Sequence, residues 1–422
     1  MRRRPDRWRA GPAGEPSPGR RGVLVASLAL VAVGALAATA PEDPDALVAR
    51  ARNAAERAHA TGDADAWMRA GTDLDRALAS GHAGARRLLP WVRNGQHRFA
   101  EARAAAEALL AQAPDDWWAL AQHADACLEL GDYAAAEASI DRLAAVRPGP
   151  VAWTRVAGLR AVLGDRRGAI AALQLALAAT PLTAAATLAW TWADLGTQHL
   201  ALGELAAAAA AFETARALQP DQPHATHGLA RTYAAMERLD AALALAAAAA
   251  ERQPGVPTLT LLGDIQEARG DGAAAARAWE AAEVAERVAA AAGASYGRDA
   301  VLLLVDRRNA PAPALALAQA ERQRCHDVGT LDALAWALHA SGRSRQAMRV
   351  AHRALRLGTE DATLRYHAGA IATALDRPRA ARRHLRAALA LGPMPSPQVA
   401  ATRALLVAAG DRLARLEGEH HP

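Results

Sequence analysis

The spacing of the prolines in the middle of this chain constrains its fold more than any other feature. Pro114, Pro148, Pro181, Pro220 and Pro254 are separated by 34, 33, 39 and 34 residues. Because proline cannot continue an α-helix and the intervening residues are rich in alanine and leucine, this period indicates a repeated helical hairpin. A hairpin of this size cannot bury its own apolar face, so consecutive copies must stack. The sequence therefore predicts an elongated, all-helical protein.

The clearest copy of the repeat lies between residues 190 and 220 and carries residues of fixed type at fixed offsets. Its first half has a Trp-x-x-Leu-Gly pattern, and its second half has alanine, phenylalanine and proline at helical spacing. Neighbouring copies keep the small residues and a glycine-acid turn. The residues that carry the pattern in this copy are Trp192, Leu195, Gly196, Leu202, Gly203, Ala208, Phe212, Ala215 and Pro220.

This pattern resembles the tetratricopeptide repeat over residues 84–395. The resemblance implies an all-α fold, a right-handed α-solenoid of helical hairpins with a C-terminal capping helix at residues 396–417 and a tail at 418–422. Residues 41–83 are expected to add N-terminal helices around the turn at Gly62 and Asp63, and a degenerate repeat is one interpretation of them. The alternative is an alanine-rich helical bundle without repeats.

Small residues in each second helix explain how the hairpins pack. An alanine lets two antiparallel helices approach closely, and a neighbouring Leu, Ile, Phe or Trp fills the remaining space. Extra residues at 182–187 and an alanine-rich stretch at 289–297 predict either longer helices or a local change of superhelical pitch in two of the units. The packing alanines are Ala136, Ala169, Ala208, Ala242 and Ala275.

The first 40 residues have a different composition, which predicts export or membrane anchoring. Residues 1–22 form a basic n-region with seven arginines and two acids, and residues 23–40 are uncharged and apolar. This length suits both a signal peptide, cleaved after Ala40, and an inner-membrane anchor, so both remain open. By the positive-inside rule, the repeats are expected outside the cytoplasm, either periplasmic or secreted.

The charge of the remaining chain is balanced but unevenly distributed. Without the first 22 residues, 42 basic and 42 acidic residues remain, so the high isoelectric point gives no reason to expect nucleic acid. Arginines are in excess between residues 341 and 390. They indicate either a solvated convex face or a docking patch for an acidic partner or anionic lipid headgroups. This basic face comprises Arg345, Arg349, Arg353, Arg379, Arg382, Arg383 and Arg386.

The sequence offers no recognisable catalytic site. All 49 basic residues are arginine, which excludes mechanisms that need a catalytic or phosphate-binding lysine. His224 and His227 are one helical turn apart, but no further metal ligands follow at a recognisable spacing. Cys127 and Cys325 are expected six units apart, too far for a disulfide. We expect no enzymatic activity, cofactor or metal; the alternative is a noncanonical hydrolase.

The resemblance implies that the first helices line a concave groove that binds a protein or peptide. Trp, Tyr, Arg and His often supply contact energy in such surfaces. Membrane contact is expected only through the N-terminal segment. The alternative is an envelope factor that binds glycan or lipid through the groove tryptophans or the basic face. The predicted groove residues are Trp118, Asp125, Glu129, Trp190, Thr197, His224, His227, Arg231, Asp264, Trp336, His339 and Tyr366.

Overall fold

The computed structural model describes residues 42–291, 297–394 and 396–418. These residues form α-helices joined by short turns and contain no β-strand, so the predicted all-α solenoid is confirmed. The basic n-region, the apolar segment 23–40 and the last four residues lie outside the described part. Within that part, no helix is both long enough and apolar enough to span a bilayer.

The described helices pair into ten antiparallel hairpins, and consecutive hairpins pack side by side. A 3-10 turn at Leu355–Leu357 extends one second helix, and a final helix, α21 (Ser396–Gly418), packs on the last hairpin. The hairpins are α1 (Pro44–Thr61) with α2 (Ala64–Ala79), α3 (Ala83–Gly95) with α4 (Phe99–Gln112), α5 (Trp117–Leu130) with α6 (Tyr133–Val146), α7 (Pro150–Val162) with α8 (Arg166–Ala179), α9 (Ala185–Ala201) with α10 (Leu205–Leu218), α11 (Pro223–Ala235) with α12 (Leu239–Arg252), α13 (Val256–Ala268) with α14 (Gly272–Ala291), α15 (Arg298–Asp306) with α16 (Pro311–Arg324), α17 (Val328–Ala340) with α18 (Ser344–Ala354), and α19 (Ala362–Ala374) with α20 (Pro378–Ala390).

The glycine-acid pairs form the turns inside the hairpins, as the sequence indicates. Gly131 ends α5 in the left-handed conformation, with φ of 77°. The next residue, Asp132, caps α6 because its side chain accepts a hydrogen bond from the Ala135 N–H. Asp165 caps α8 in the same way through the Gly168 N–H, at 2.8 Å. Each acid satisfies a backbone donor that has no partner within the helix.

Small and large residues alternate in the core between helices. The five packing alanines are all completely buried, which confirms the expected close approach of the two helices in each hairpin. The ring of Phe212 packs against Gly196 of α9 and Gly228 of α11, where an added Cβ would lie 2.8 and 2.3 Å from ring atoms. One aromatic side chain therefore joins its own hairpin to the next.

Two helices are longer than their counterparts, at the positions of the extra residues. Helix α9 has 17 residues and α14 has 20, whereas α10 and α12 each have 14. Residues 185–187 and 289–291 of these stretches are thus helical, residues 292–296 lie outside the described part, and the order of the hairpins is kept.

The solenoid is wound so tightly that its successive superhelical turns touch. The last carbonyl of several first helices accepts a hydrogen bond from a group close to 190–200 residues further along the chain. We call this line of contact the seam. Its bonds join Thr61 O to Gln253 Nε2, Leu130 O to His326 N at 3.0 Å, Val162 O to Thr359 Oγ1, and Ala201 O to Gly392 N at 2.8 Å.

Candidate binding surface on the inner face

The first helices of distant hairpins converge on one stacked group of rings. Trp190 of α9 stacks on His59 of α1, with ring centroids 4.9 Å apart and planes 14° from parallel. On α11, His224 lies 6.0 Å from the Trp190 ring and is also nearly parallel to it. Because α1 and α9 are far apart in sequence, the superhelical winding brings these rings together.

Three further tryptophans extend this group toward the N-terminal hairpins. Trp67 meets Trp91 edge to face at 5.5 Å, and Trp91 meets Trp118 in the same way at 5.8 Å. The ring of His59 lies 6.2 Å from that of Trp91 and so links the two groups. The indole N–H of Trp118 donates to the Arg87 carbonyl, so this ring is held in place while half-buried.

Polar and ionisable groups lie next to the stacked rings. The Thr197 hydroxyl is 3.1 Å from His224 Nε2, and an Asp194 oxygen is 3.6 Å from the same nitrogen. The Asp194 side chain is 42% exposed, yet desolvation by the surrounding protein raises its pKa to about 7. Desolvation also lowers the pKa of His224 and, followed by the charge of Arg231, lowers that of His227 to about 3. Water therefore reaches these groups inside a narrow space walled by protein.

Charges of both signs lie deeper along the same inner face. Arg231 of α11 and Arg298 of α15 are accessible to water and form no ion pair or hydrogen bond with any described residue. Asp299 is accessible beside Arg298, but desolvation raises its pKa. Desolvation acts to raise the pKa of Asp361 as well; the charge of Arg298 and a hydrogen bond from Leu364 N–H outweigh it and lower that pKa. These arginines and carboxylates are thus within electrostatic reach of one another without being paired.

Two of the predicted acids lie nearer the N-terminal end of the inner face. Glu129 is exposed, and its pKa is raised to about 7 by desolvation, followed by the charges of Asp327 and Asp125. Asp125 accepts a hydrogen bond from Arg155 Nη2 at 2.5 Å, so its charge is already balanced. Glu129 is therefore the more available of the two for a ligand.

The prediction that Trp336 and Tyr366 line an open groove is wrong. Both are only 8% exposed, and they share one apolar cluster with Met394 and with Ala409 of the capping helix. The Trp336 indole N–H donates to Asp306 at 2.7 Å, and its ring stacks 4.1 Å from that of His367. At this end of the solenoid the capping helix joins the core, and the first-helix aromatics are buried with it.

The remaining predicted groove residues are half-buried and paired. Asp264 receives two hydrogen bonds from the guanidinium of Arg307, at 2.6 and 2.9 Å, and one from the Trp279 indole. His339 contacts the Ser344 hydroxyl at 3.0 Å. Asp264 and His339 are therefore bonded to partners outside the stacked group. The predicted groove residues that the structure brings together, in the N-terminal half, are Trp118, Trp190, Thr197, His224, His227 and Arg231. Any binding role for these residues remains a prediction.

The argument that kept the two cysteines apart is wrong, although both are free. Six units of separation along the chain do not keep the two segments apart in space, because His326 N–H donates to Leu130 O across the seam. Cys127 and Cys325 are buried, and desolvation raises the pKa of each thiol to about 11. Their thiolates are therefore poorly populated at neutral pH, and neither is a reactive nucleophile.

The predicted basic face lies on the second helices α18 and α20. All seven of its arginines are exposed. Arg345, Arg349, Arg353, Arg382 and Arg386 form no ion pair with any carboxylate of the described residues, whereas Arg50, for example, pairs with both Glu42 and Asp73. The arrangement leaves concentrated positive charge on the outer side of two adjacent hairpins.

Several inner-face residues were not predicted from the sequence. Asp194 could have been found, since it lies one helical turn from both Trp190 and Thr197 on a recognised first helix. His59 carries no such signal, because its partner Trp190 lies four hairpins further along the chain. Arg298 and Asp299 follow a stretch where the repeat pattern is interrupted. Among the described residues, no group of three or more His, Cys, Asp or Glu side chains is arranged to hold a metal.

Comparison with known proteins identifies the repeat. Residues 94–163 and 199–265 match the family model described as "Tetratricopeptide repeat". No curated protein matches the sequence. Among solved structures, human IFIT1, in a dimer with PPP-AAAA, is 14% identical with a TM-score of 0.43, over 69% of this chain and 79% of that one. The Cut9-Hcn1 APC/C hetero-tetramer is 16% identical with a TM-score of 0.43, over 82% of this chain and 73% of that one. PilW, a type IV pilus biogenesis factor, is 20% identical with a TM-score of 0.41, over 50% of this chain and 94% of that one. Similarities this low do not transfer a function.

Proposed function

We propose that this tetratricopeptide-repeat protein is a non-enzymatic scaffold that binds a protein or peptide segment along the inner face of its superhelix. The observation that carries the proposal is the convergence of the Trp190 stack with the accessible groups of Asp194, His224 and Arg231. These side chains come from α9 and α11, and His59 of the stack comes from α1, so a ligand that touched them would contact three hairpins at once.

The chemistry of the inner face suits a polypeptide. Tryptophan and arginine dominate the contact energy of protein interfaces, and both occur here on rigid helices. The rings of Trp118 and Trp190 offer apolar contact. Glu129, Asp194 and Arg231 offer ionisable groups without an oppositely charged partner among the described residues, since the pKa of His224 beside Asp194 is lowered. A peptide carries apolar and charged side chains at short intervals, and it can meet both kinds of contact along one path.

The test is capture of the partner by tryptophan variants. Affinity capture from the native membrane and lysate, followed by mass spectrometry, identifies a partner of the parent chain. Trp118→Ala and Trp190→Ala should each weaken its binding by about 1 kcal/mol or more. Trp190→Phe, which keeps a ring against His59, separates loss of contact from loss of packing. Circular dichroism confirms that helicity is retained.

The matched control removes charge from the basic face. Changing Arg345, Arg349, Arg382 and Arg386 to glutamine should change capture little at physiological salt, because these residues lie on the opposite side of the hairpins. If the arginine variants abolish capture and the tryptophan variants do not, binding is not on the inner face. Capture that falls steeply with salt would then identify an electrostatic surface.

We further propose that the protein works outside the cytoplasm, in the cell envelope. The support is in the sequence: a basic n-region is followed by the apolar segment 23–40. A reporter that is active only outside the cytoplasm, fused after Pro422, should be active. An inactive reporter, together with an active cytoplasmic reporter at the same position, would overturn the proposal.

A second candidate function is binding of an anionic lipid or glycan by the basic face. The observation that favours it is the set of exposed arginines on α18 and α20 without carboxylate partners. Vesicles with anionic headgroups should sediment more of the protein than neutral vesicles do, and salt should remove this additional sedimentation by screening the charges. The arginine-to-glutamine variant should lose this sedimentation; if it does not, the basic face is only solvated.

A further inference from the structure

The seam is built from groups that a helix cannot satisfy by itself. The last carbonyls of a helix have no donor within that helix. Thr61, Leu130, Val162 and Ala201 are each the last residue of a first helix, and each carbonyl receives its hydrogen bond from the adjacent superhelical turn. The donor residues lie just before the N-termini of α13, α17, α19 and α21. The negative C-terminal end of one helix therefore meets the positive N-terminal end of another.

The same contact recurs in four of the first five hairpins. It involves the ends of α1, α5, α7 and α9, and between the first two of these Arg324 Nη2 reaches the His97 carbonyl beyond α3, at 3.4 Å. Side chains reinforce the bonds, since Val328 N–H donates to the Tyr133 hydroxyl at 3.0 Å and Arg166 Nε donates to the Glu360 carbonyl at 2.8 Å.

Glycines allow the backbones to approach this closely. A Cβ at Gly131 would lie 2.4 Å from the His326 carbonyl carbon, and one at Gly164 would lie 2.5 Å from the Gly358 oxygen. A Cβ at Gly392 would lie 2.1 Å from the Leu200 oxygen. Backbone atoms, not flexible side-chain ends, occupy these positions, so the two turns are in direct contact and leave no passage there.

From these contacts we infer that the inner face is a closed channel rather than an open groove, and that a partner is admitted only as an extended segment without tertiary structure. The inference rests on the proposed function, because it specifies the form in which the inner face receives its ligand. A folded domain reaches the face only if the seam parts. An extended segment enters from an end of the superhelix and is encircled by the repeats.

The accessible inner groups agree with enclosure. Asp194, Arg231 and Arg298 are reached by water, yet each lies where protein surrounds it on several sides. A small molecule therefore reaches them, whereas a bulky one does not. This difference can be measured without knowing the partner.

The experiment compares the labelling of one inner and one outer cysteine by reagents of two sizes. The background is the full chain with Cys127→Ala and Cys325→Ala, both buried positions. The inner position is Asp194→Cys and the outer position is Arg382→Cys, which is exposed on α20. The reagents are N-ethylmaleimide and a maleimide carried on the surface of a small folded protein.

We expect N-ethylmaleimide to label both positions readily. The protein-borne maleimide should discriminate against the inner position by at least about tenfold more than N-ethylmaleimide does, because a folded protein reaches the inner face only while the turns are parted. Gly131→Ala should reduce that discrimination by pushing the turns apart, whereas Gly342→Ala, which has the same left-handed backbone but no neighbour within 4 Å, should leave it unchanged.

The inference would be overturned if both reagents gave the same ratio of inner to outer labelling in the background without glycine substitutions. This outcome does not depend on whether the glycine variants fold. The outcome is independent of the partner experiment. A freely labelled inner cysteine together with tryptophan-dependent capture refutes enclosure alone. A protected inner cysteine with capture that ignores the tryptophans refutes the proposed function alone.

Discussion

The cost of a methyl group at Gly131 is the sharpest test of the seam. Gly131 has φ of 77°, and alanine in this left-handed conformation costs roughly 1–2 kcal/mol anywhere in a protein. At Gly131 the new Cβ would also lie 2.4 to 2.7 Å from the backbone of His326 and Asp327, so the two superhelical turns must move apart.

That movement removes identifiable interactions. The His326 N to Leu130 O bond and the Val328 N to Tyr133 hydroxyl bond, both 3.0 Å, are lost or lengthened. Each hydrogen bond contributes about 0.5–1.5 kcal/mol, so the loss adds about 1–3 kcal/mol to the backbone strain. We expect Gly131→Ala to destabilise the chain by about 2–5 kcal/mol in total.

Gly342 provides the matched control for the strain. It lies in the turn between α17 and α18 with φ of 74°, and no atom lies within 4 Å of its added Cβ. Gly342→Ala should therefore cost only the backbone term, about 1–2 kcal/mol.

Urea unfolding followed by circular dichroism measures the two variants. Because repeat proteins can unfold in parts, hydrogen exchange at the His326 amide should accompany it. This amide should exchange faster in Gly131→Ala and unchanged in Gly342→Ala. Equal destabilisation by the two substitutions, with unchanged exchange at His326, would refute the reasoning.

Three further outcomes follow from burial and charge. His367 and Asp332 form a buried pair at 3.0 Å; desolvation lowers the pKa of His367, but the carboxylate outweighs it and raises that pKa above 6.5. The pair's contribution to the free energy of unfolding is therefore complete below pH 6.5 and is lost as pH rises through the folded pKa. In urea unfolding, Asp332→Asn should cost about 3 kcal/mol or more at pH 6 and less at pH 9. Phe212→Ala should cost about 3–5 kcal/mol, whereas the control Leu218→Ala, at an exposed site, should cost less than about 1; similar melting of the two would contradict the core assignment. Asp194→Asn should gain stability relative to the parent as pH rises from 3.8 to about 7, because the acid in the unfolded parent ionises at a lower pH than in the folded parent. The side chain is 42% exposed, so we expect a gain of about 1 kcal/mol. A gain on acidification instead would contradict the raised pKa.

The hairpins could be predicted from sequence because their contacts are local. Ala208 and Phe212 pack within one unit and against its neighbour, so a pattern that spans two periods contains the whole interaction. The same is true of Gly131, whose left-handed turn follows from the end of α5. Positions of this kind are constrained by residues at most one repeat away, and the sequence shows both members of each contact.

The inner face could be predicted only in part because its surroundings are not local. The first-helix register predicts Trp118, Trp190 and His224 on the inner face, and in the structure their rings are linked through Trp91 and His59. It fails for Trp336, since the burial of that ring depends on Asp306 and on the capping helix rather than on its own hairpin. His59 was missed for the same reason, because its partner Trp190 lies four hairpins away in the sequence.

The seam shows why small errors per repeat matter. Its register of close to 195 residues is reached by adding the rotations of almost six hairpins, so a few degrees of error in each would displace Leu130 from His326 completely. No single hairpin encodes this sum, and the longer helices α9 and α14 change it along the way. What each hairpin does supply is a free terminal carbonyl and a turn glycine. These two local features become a continuous contact only when the accumulated rotation brings the turns together, so stretching or compressing the superhelix must break the seam bonds along with any enclosure of the channel.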